Sequence, residues 1–235
     1  MDLIKDRYTR IQENIQNSCV SAGRPQNAVK LIVVIKKQPI ERIIQVVNAG
    51  AEFLGENYPE DIFDKITLLP DGIKPKWHMI GHIQSRKIKI LVQSFSYIQS
   101  IDRISVARKL NQACAEANIT LPILLQVNLS GEESKQGFSV HEKRGIGVLS
   151  EVFDDLLELQ ALSLCGLMTM PPLVNKPEDN QPIFARCRNL LEEINGSYRL
   201  AQFDQLSMGT SQDYSAAIEE GATMVRVGEA IMGKR

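Results

Sequence analysis

Lys36 directly follows five apolar residues, Leu31-Ile32-Val33-Val34-Ile35, so a strand ending there carries an amine with few routes to bulk water. Burial and neighbouring cations lower an amine's pKa, and the free base attacks an aldehyde carbon to form a Schiff base. Two plainer readings stand beside this one: Lys36 snorkels to a rim, or Lys37 is the inward residue. A second candidate feature lies at the other end of the chain. Ser207-Met208-Gly209 and Gly228-Glu229 each follow a short apolar stretch, where backbone N–H groups can cradle a phosphate that a side chain would hold off. Either glycine alone also fits a tight turn. Arg226, two residues before Gly228, shares its strand face, and its guanidinium can only donate hydrogen bonds. A salt bridge to Glu220 or Asp213 is the alternative role.

These groups meet only if the first and last strands are neighbours. Ile4, Tyr8, Ile11 and Ile15 recur at helical spacing and predict an opening helix. Strand Leu31–Ile35 is then followed by Pro39 and a helix stopped at Gly50. The same unit repeats: strands at Phe53–Leu54, Trp77–Ile80, Tyr97–Ile101, Leu121–Val127, Leu162–Met168, Phe203–Leu206 and Thr223–Val227 alternate with helices. The helices run from about Pro59 to Leu69, Ser85 to Val92, Ile104 to Ala117 with Asp102 as cap, His141 to Leu159, Pro182 to Ile194 and Tyr214 to Glu220. Eight alternating strands predict an α/β fold, a single (β/α)8 TIM barrel with an extra N-terminal helix, in which strand eight lies beside strand one. An open doubly wound sheet is the rival, but Lys36-Lys37-Gln38-Pro39 replaces the glycine-rich turn such a sheet places after its first strand. Barrels work at the carboxyl ends of their strands, and those ends carry Lys36, Asn57, His82, Asp102, Asn128, Thr169, Ser207 with Gly209, and Arg226 with Gly228. Polarity there also simply ends strands.

The 235 residues fit one domain, 1–235, and no linker interrupts the series. With 27 basic against 28 acidic residues and a net charge of -1, bulk electrostatics predict no nucleic-acid partner. Residues 1–10 mix charges without an apolar run, so neither a signal peptide nor a membrane span is expected. The four cysteines are far apart, and His78 and His82 have no nearby cysteine, so no metal is expected and a reducing cytoplasmic setting is.

The segments Leu31 to Pro39, Gly55-Glu56-Asn57-Tyr58, Trp77 to Ser85, Gln126-Val127-Asn128, Gly166 to Thr169, Leu206 to Gly209 and Val225 to Gly228, in this order and spacing, resemble the pyridoxal phosphate homeostasis proteins. That family resembles the barrel domain of alanine racemase, and the likeness spans the whole chain. The resemblance implies pyridoxal 5'-phosphate as cofactor, a Schiff base on Lys36, and the phosphate received by Ser207, Gly209, Gly228 and the backbone of Glu229. It further implies Arg226 at the pyridine nitrogen, Asn57 and Met168 along the ring, and His82 and Ser85 organising the rim. For Trp77 and His78, packing is the preferred role. Two departures stand out. The family usually has Ser-Lys-Thr-Lys-Pro around its lysine where this chain has Ile35-Lys36-Lys37-Gln38-Pro39, and Glu229 replaces a frequent threonine, bringing a carboxylate that would repel phosphate if it turned inward.

A racemase needs a second acid–base group, which alanine racemase takes from another domain, and this chain ends just after the barrel. No catalytic residue is therefore assigned. The implied function is intracellular storage, buffering or delivery of the cofactor with little or no turnover, by a cytoplasmic monomer whose partners include cofactor-dependent apoenzymes. The alternatives are a weak racemase-like enzyme with Tyr58 or His82 as second base, and a cofactor-free aldolase using Lys36 on a sugar phosphate.

Overall fold

Apolar runs too short for helices, each closed by a glycine or polar residue, form strands here, and the amphipathic stretches between them cover the strands' outer faces. A computed structural model describes residues 3–132, 135–140, 145–174 and 176–233. The barrel strands are β1 (Lys30–Val34), β2 (Phe53–Glu56), β3 (Lys76–Met79), β4 (Tyr97–Ile101), β5 (Leu121–Asn128), β7 (Leu162–Thr169), β8 (Gln205–Ser207) and β9 (Met224–Val227). Each pairs in parallel with its neighbours. β9 returns to β1 with Ile32 opposite Arg226, and β4 pairs with β5, so the ring is closed. The open-sheet alternative is thereby excluded. A short β6 (Phe138–Ser139) pairs with Val127 and Asn128, beyond the last β4 partner of β5.

The helices are α1 (Ile4–Ser21), α2 (Ile40–Asn48), α3 (Ile62–Leu68), α4 (Ile88–Ser94), α5 (Ile104–Glu116), α6 (Gly145–Leu157), α7 (Gln181–Tyr198), α8 (Tyr214–Glu219) and α9 (Glu229–Met232). The expected stripe of α1 is buried at Ile4, Tyr8, Ile11 and Ile15, and the helix packs against α2, α8 and α9. Burying each isoleucine contributes about 1.5–3 kcal/mol, which isolated helix propensity does not match. α2 ends where expected, Gly50 taking φ 105° just past its C-cap.

Several boundaries differ from expectation for local reasons. The helices expected from Pro59 and Ser85 open as single 3-10 turns, Pro59–Asp61 and Ser85–Lys87, before α3 and α4. Asp102 does not cap α5. Arg103 holds the cap position without a side-chain cap bond, and Asp102 is taken instead by His82 and Arg103. The start of the helix expected from His141 lies outside the described residues. Among the described residues no helix is long and apolar enough to cross a membrane.

Alternation along the strands turns Ile32, His78, Gln99, Leu124, Met168, Ser207, Met224 and Arg226 toward the barrel axis, and all are buried. Barrel interiors are ordinarily filled by branched aliphatic side chains, so His78, Gln99, Ser207 and Arg226 are a departure that packing alone does not require.

Candidate functional site

At the carboxyl end of the barrel a cavity of about 290 Å³ is lined by Val34 and Lys36 after β1, Asn57 after β2, Arg226 of β9, and Gly228 and Glu229 beyond it. The remaining wall comes from Ile80, Met170 and Leu173, and from Thr210, Ser211 and Gln212 between β8 and α8. The barrel closure predicted from eight strands thus brings together residues almost two hundred positions apart.

Lys36 and Lys37 part ways immediately after β1. Lys37 has a left-handed φ of 57°, is exposed, and sets its ammonium 5.8 Å from the ring centroid of Tyr58. Lys36 is half-buried and lines the cavity, so the inward residue of the pair is Lys36.

Asn57 is held by its predecessor. The fully buried Glu56 carboxylate accepts the N–H of Asn57 at 2.7 Å and of Tyr58 at 3.0 Å, while its other oxygen takes the Lys65 ammonium from α3. Gly81 completes the arrangement, since a Cβ there would lie 2.5 Å from the Asn57 carbonyl oxygen. The Asn57 side-chain oxygen is buried yet has no hydrogen-bond partner among the described residues, a costly state unless a ligand donates to it.

Arg226 forms the floor. Its Nη1 donates to Ser207 Oγ at 2.6 Å, and its Nη2 to the Thr169 carbonyl and the Met170 sulfur, both at 2.8 Å. Burial lowers its pKa to about 10, against the raising influence of Asp213 and then Cys187, and it stays cationic at neutral pH. The suggested salt bridges do not form. Glu220 pairs with Arg188, and Asp213 accepts the N–H and hydroxyl of Thr210 at 2.7 and 2.9 Å and an amide N–H of Asn180 at 2.8 Å.

Asp213 therefore shapes the loop that carries Thr210 to Gln212 over the cavity. Ser211 Oγ accepts the Gly228 N–H at 3.3 Å, joining that loop to the start of α9. Gly209, with φ 92°, has no room for a side chain, because a Cβ would stand 2.7 Å from Ala217 Cβ. The Glu229 side chain is exposed, so its carboxylate need not oppose an anion bound at the backbone.

Of the eight expected cofactor residues, Lys36, Asn57, Arg226, Gly228 and Glu229 share this cavity, whereas Met168, Ser207 and Gly209 do not line it. Met168 and Ser207 are register partners one layer down, roughly 6–7 Å deeper for two residues of strand. The Ser207 hydroxyl is consumed by Arg226 and Gln99, and Gly209 turns its carbonyl to the Arg226 N–H. Met170 and Ser211 line the cavity instead of Met168, expected along the ring, and Ser207, expected at the phosphate. The Thr210-Ser211-Gln212-Asp213 spacing ahead of a helix, the pattern of a capping box, is the sequence signal for the missed loop.

Tyr58 and His82 line a separate cavity of about 340 Å³ with Pro59, Glu60, Gln84, Lys87 and Gln136, and only Asn57 is common to the two. His82 Nδ1 lies 3.1 Å from Asp102. Among the described residues no cluster of His, Cys, Asp and Glu could hold a metal.

The family model "Alanine racemase, N-terminal domain" matches residues 7–235. The pyridoxal phosphate homeostasis protein of Aquifex aeolicus is 38% identical over 230 residues, 98% of this chain and 97% of that protein. PipY of Synechococcus elongatus PCC7942, solved without PLP, superposes with TM-score 0.81 at 30% identity, covering 93% of this chain and 100% of that one. The same protein with PLP bound gives TM-score 0.78 at 29% identity over the same shares. Alanine racemase of Clostridium difficile 630 shares the fold at TM-score 0.66 and 13% identity, over 93% of this chain and 58% of that one.

Proposed function

The chain belongs to the pyridoxal phosphate homeostasis protein family, and from that premise we propose that it holds pyridoxal 5'-phosphate in the Lys36 cavity, for storage or delivery and not for turnover. The observation that carries the reading is the meeting in one cavity of an amine, Lys36, a buried guanidinium, Arg226, and the Ser211–Gly228 junction, beside the unpartnered Asn57 oxygen. A flat, polar heteroaromatic aldehyde with a phosphate needs an amine, an anion cradle and a partner for its ring nitrogen. Lys36, the Ser211–Gly228 junction and Arg226 stand in one cavity to supply them. Bound there, the cofactor would supply an aldehyde, and Lys36 is the amine placed to hold it covalently.

Each residue's part follows from its setting. The Ser211 hydroxyl and the backbone at Gly228 and Glu229 receive the phosphate, while Thr210, whose N–H and hydroxyl both go to Asp213, holds the loop in place. Arg226, cationic and donor-only, faces the ring nitrogen and keeps it unprotonated, which leaves amino-acid bonds poorly activated. The Asn57 oxygen is an acceptor for the ring's hydroxyl, the one substituent that can donate. Low turnover is further supported by position: the two candidate second bases, Tyr58 and His82, line the neighbouring cavity. We place the protein in the cytoplasm as a monomeric single domain over residues 1–235, with cofactor-dependent apoenzymes as recipients.

The test is the absorbance spectrum of the purified protein with added pyridoxal 5'-phosphate, beside Lys36→Ala. The parent acquires a Schiff-base band that borohydride fixes to residue 36, and the variant stays folded without it. A band that survives Lys36→Ala refutes the assignment, and so does a parent that never acquires one.

A further inference from the structure

A line of buried polar side chains leads away from the cavity floor across the inside of the barrel, from β9 through β8 and β4 to β3. Arg226 donates to Ser207 Oγ at 2.6 Å, the Ser207 hydroxyl donates to Gln99 Oε1 at 2.7 Å, and Gln99 Nε2 meets His78 Nδ1 at 2.8 Å. Ser207 and Gln99 are wholly buried and His78 is 2% exposed, so water does not substitute for any of these partners at little cost.

The arginine dictates the direction of every bond. A guanidinium only donates, so the Ser207 oxygen is the acceptor and its single proton must go to an acceptor in turn, the amide oxygen of Gln99. The amide nitrogen is then turned to His78, and the second amide proton reaches the Met224 sulfur at 3.5 Å. His78 must offer a bare lone pair at Nδ1 and carry its one proton on Nε2. Its surroundings agree. Burial first, then Lys30 and Lys76, lowers the imidazole pKa to about 3, so the ring is neutral. The ring is also clamped mechanically, stacked on Tyr97 at 5.0 Å between centroids and met edge-on by Phe53 at 5.6 Å. A clamped imidazole fixes the amide, and the amide fixes the serine.

We propose that Gln99 and His78 are positioning residues for Arg226: through Ser207 they hold one arm of the guanidinium, as the Thr169 carbonyl holds the other. The charge is thus presented to the cavity at one place and angle before any ligand arrives. The proposal rests on the preceding reading only where it takes Arg226 to face the cofactor's ring nitrogen.

Nitrogen NMR of the uniformly labelled protein without cofactor tests the arrangement itself. The parent shows His78 as the neutral tautomer protonated at Nε2 between about pH 7 and 5, and separate, slowly exchanging Nη signals for Arg226. Gln99→Met, similar in volume, merges the Arg226 signals. Gln99→Glu, which keeps an acceptor toward Ser207, restores them, and in that variant alone the His78 proton moves to Nδ1, where the carboxylate accepts it. With pyridoxal 5'-phosphate, Gln99→Met weakens binding about tenfold, and adds nothing further in an Arg226→Lys background. The proposal is overturned by a His78 protonated at Nδ1 in the parent, by Arg226 signals unchanged in Gln99→Met, or by additive losses in the double variant. A parent that binds no cofactor sinks the preceding reading and leaves the NMR outcome to decide this one.

Discussion

Replacing Glu56 by Gln strikes the support of the cavity wall without touching the cavity. The Glu56 side chain is fully buried and that of Lys65 is 11% exposed, so their pair is interior and poorly screened. The amide still accepts the N–H groups of Asn57 and Tyr58 through one end, but its other end turns a donor toward the Lys65 ammonium. Lys65 has a second carboxylate at 3.9 Å, Asp61, which is 46% exposed and beyond hydrogen-bond distance. Breaking a buried pair from one side costs about 3–5 kcal/mol, and the Asp61 escape places Glu56→Gln at the low end, about 3 kcal/mol. For a chain of this size that lowers Tm by roughly 6–12 °C. Urea denaturation of the parent, Glu56→Gln, Lys65→Met and the double variant measures it. The double variant, having no stranded cation, is expected to be more stable than the sum of the singles by about 1.5 kcal/mol. A Glu56→Gln protein within about 0.5 kcal/mol of the parent, or a double variant that is simply additive, refutes the buried-pair account.

His78 sets a pH dependence. Its pKa is lowered from 6.5 to about 3 in the folded protein, so between these values the unfolded chain binds the extra proton. The stability it contributes is whole above pH 6.5 and drains away as the pH falls toward 3. Urea melts across that window are expected to show a shallower pH slope for His78→Phe than for the parent, and equal slopes contradict the burial argument. Gly209→Ala forces a Cβ to 2.7 Å from Ala217 Cβ at φ 92°, so unfolding free energy is expected to fall by about 2–4 kcal/mol in denaturant melts. A loss under about 1 kcal/mol means that α8 yields to the methyl group. Ser211→Ala is expected to weaken pyridoxal 5'-phosphate about tenfold in fluorescence titration while sparing pyridoxal, which lacks the phosphate. Equal losses for the two ligands place the phosphate elsewhere.

Much of this arrangement is legible in the linear chain because it depends on alternation and count. Spacings of four, three and four residues mark Ile4, Tyr8, Ile11 and Ile15 as the buried face of α1, and eight apolar runs separated by helical stretches mark a ring. A ring makes strand one and strand eight neighbours, which is why Lys36, Arg226 and Gly228 could be placed in one cavity from sequence. What alternation leaves open is depth along the barrel axis. Met168 and Met170 share a face, as Ser207 and Gly209 share a parity, and only the register of β7 against β8 shows which of them reach the rim. Nor does a strand pattern say how a loop folds, so Ser211 and Thr210 came to the cavity through the Asp213 carboxylate, a contact of side chain with backbone that has no period. The choice between Lys36 and Lys37 was likewise made by one backbone angle in the turn. Residue type and spacing determined which groups this protein brings to one end of its barrel. Three-dimensional packing alone decided which of them touch the cavity, because burial depth and hydrogen-bond direction belong to neighbours far apart in the chain.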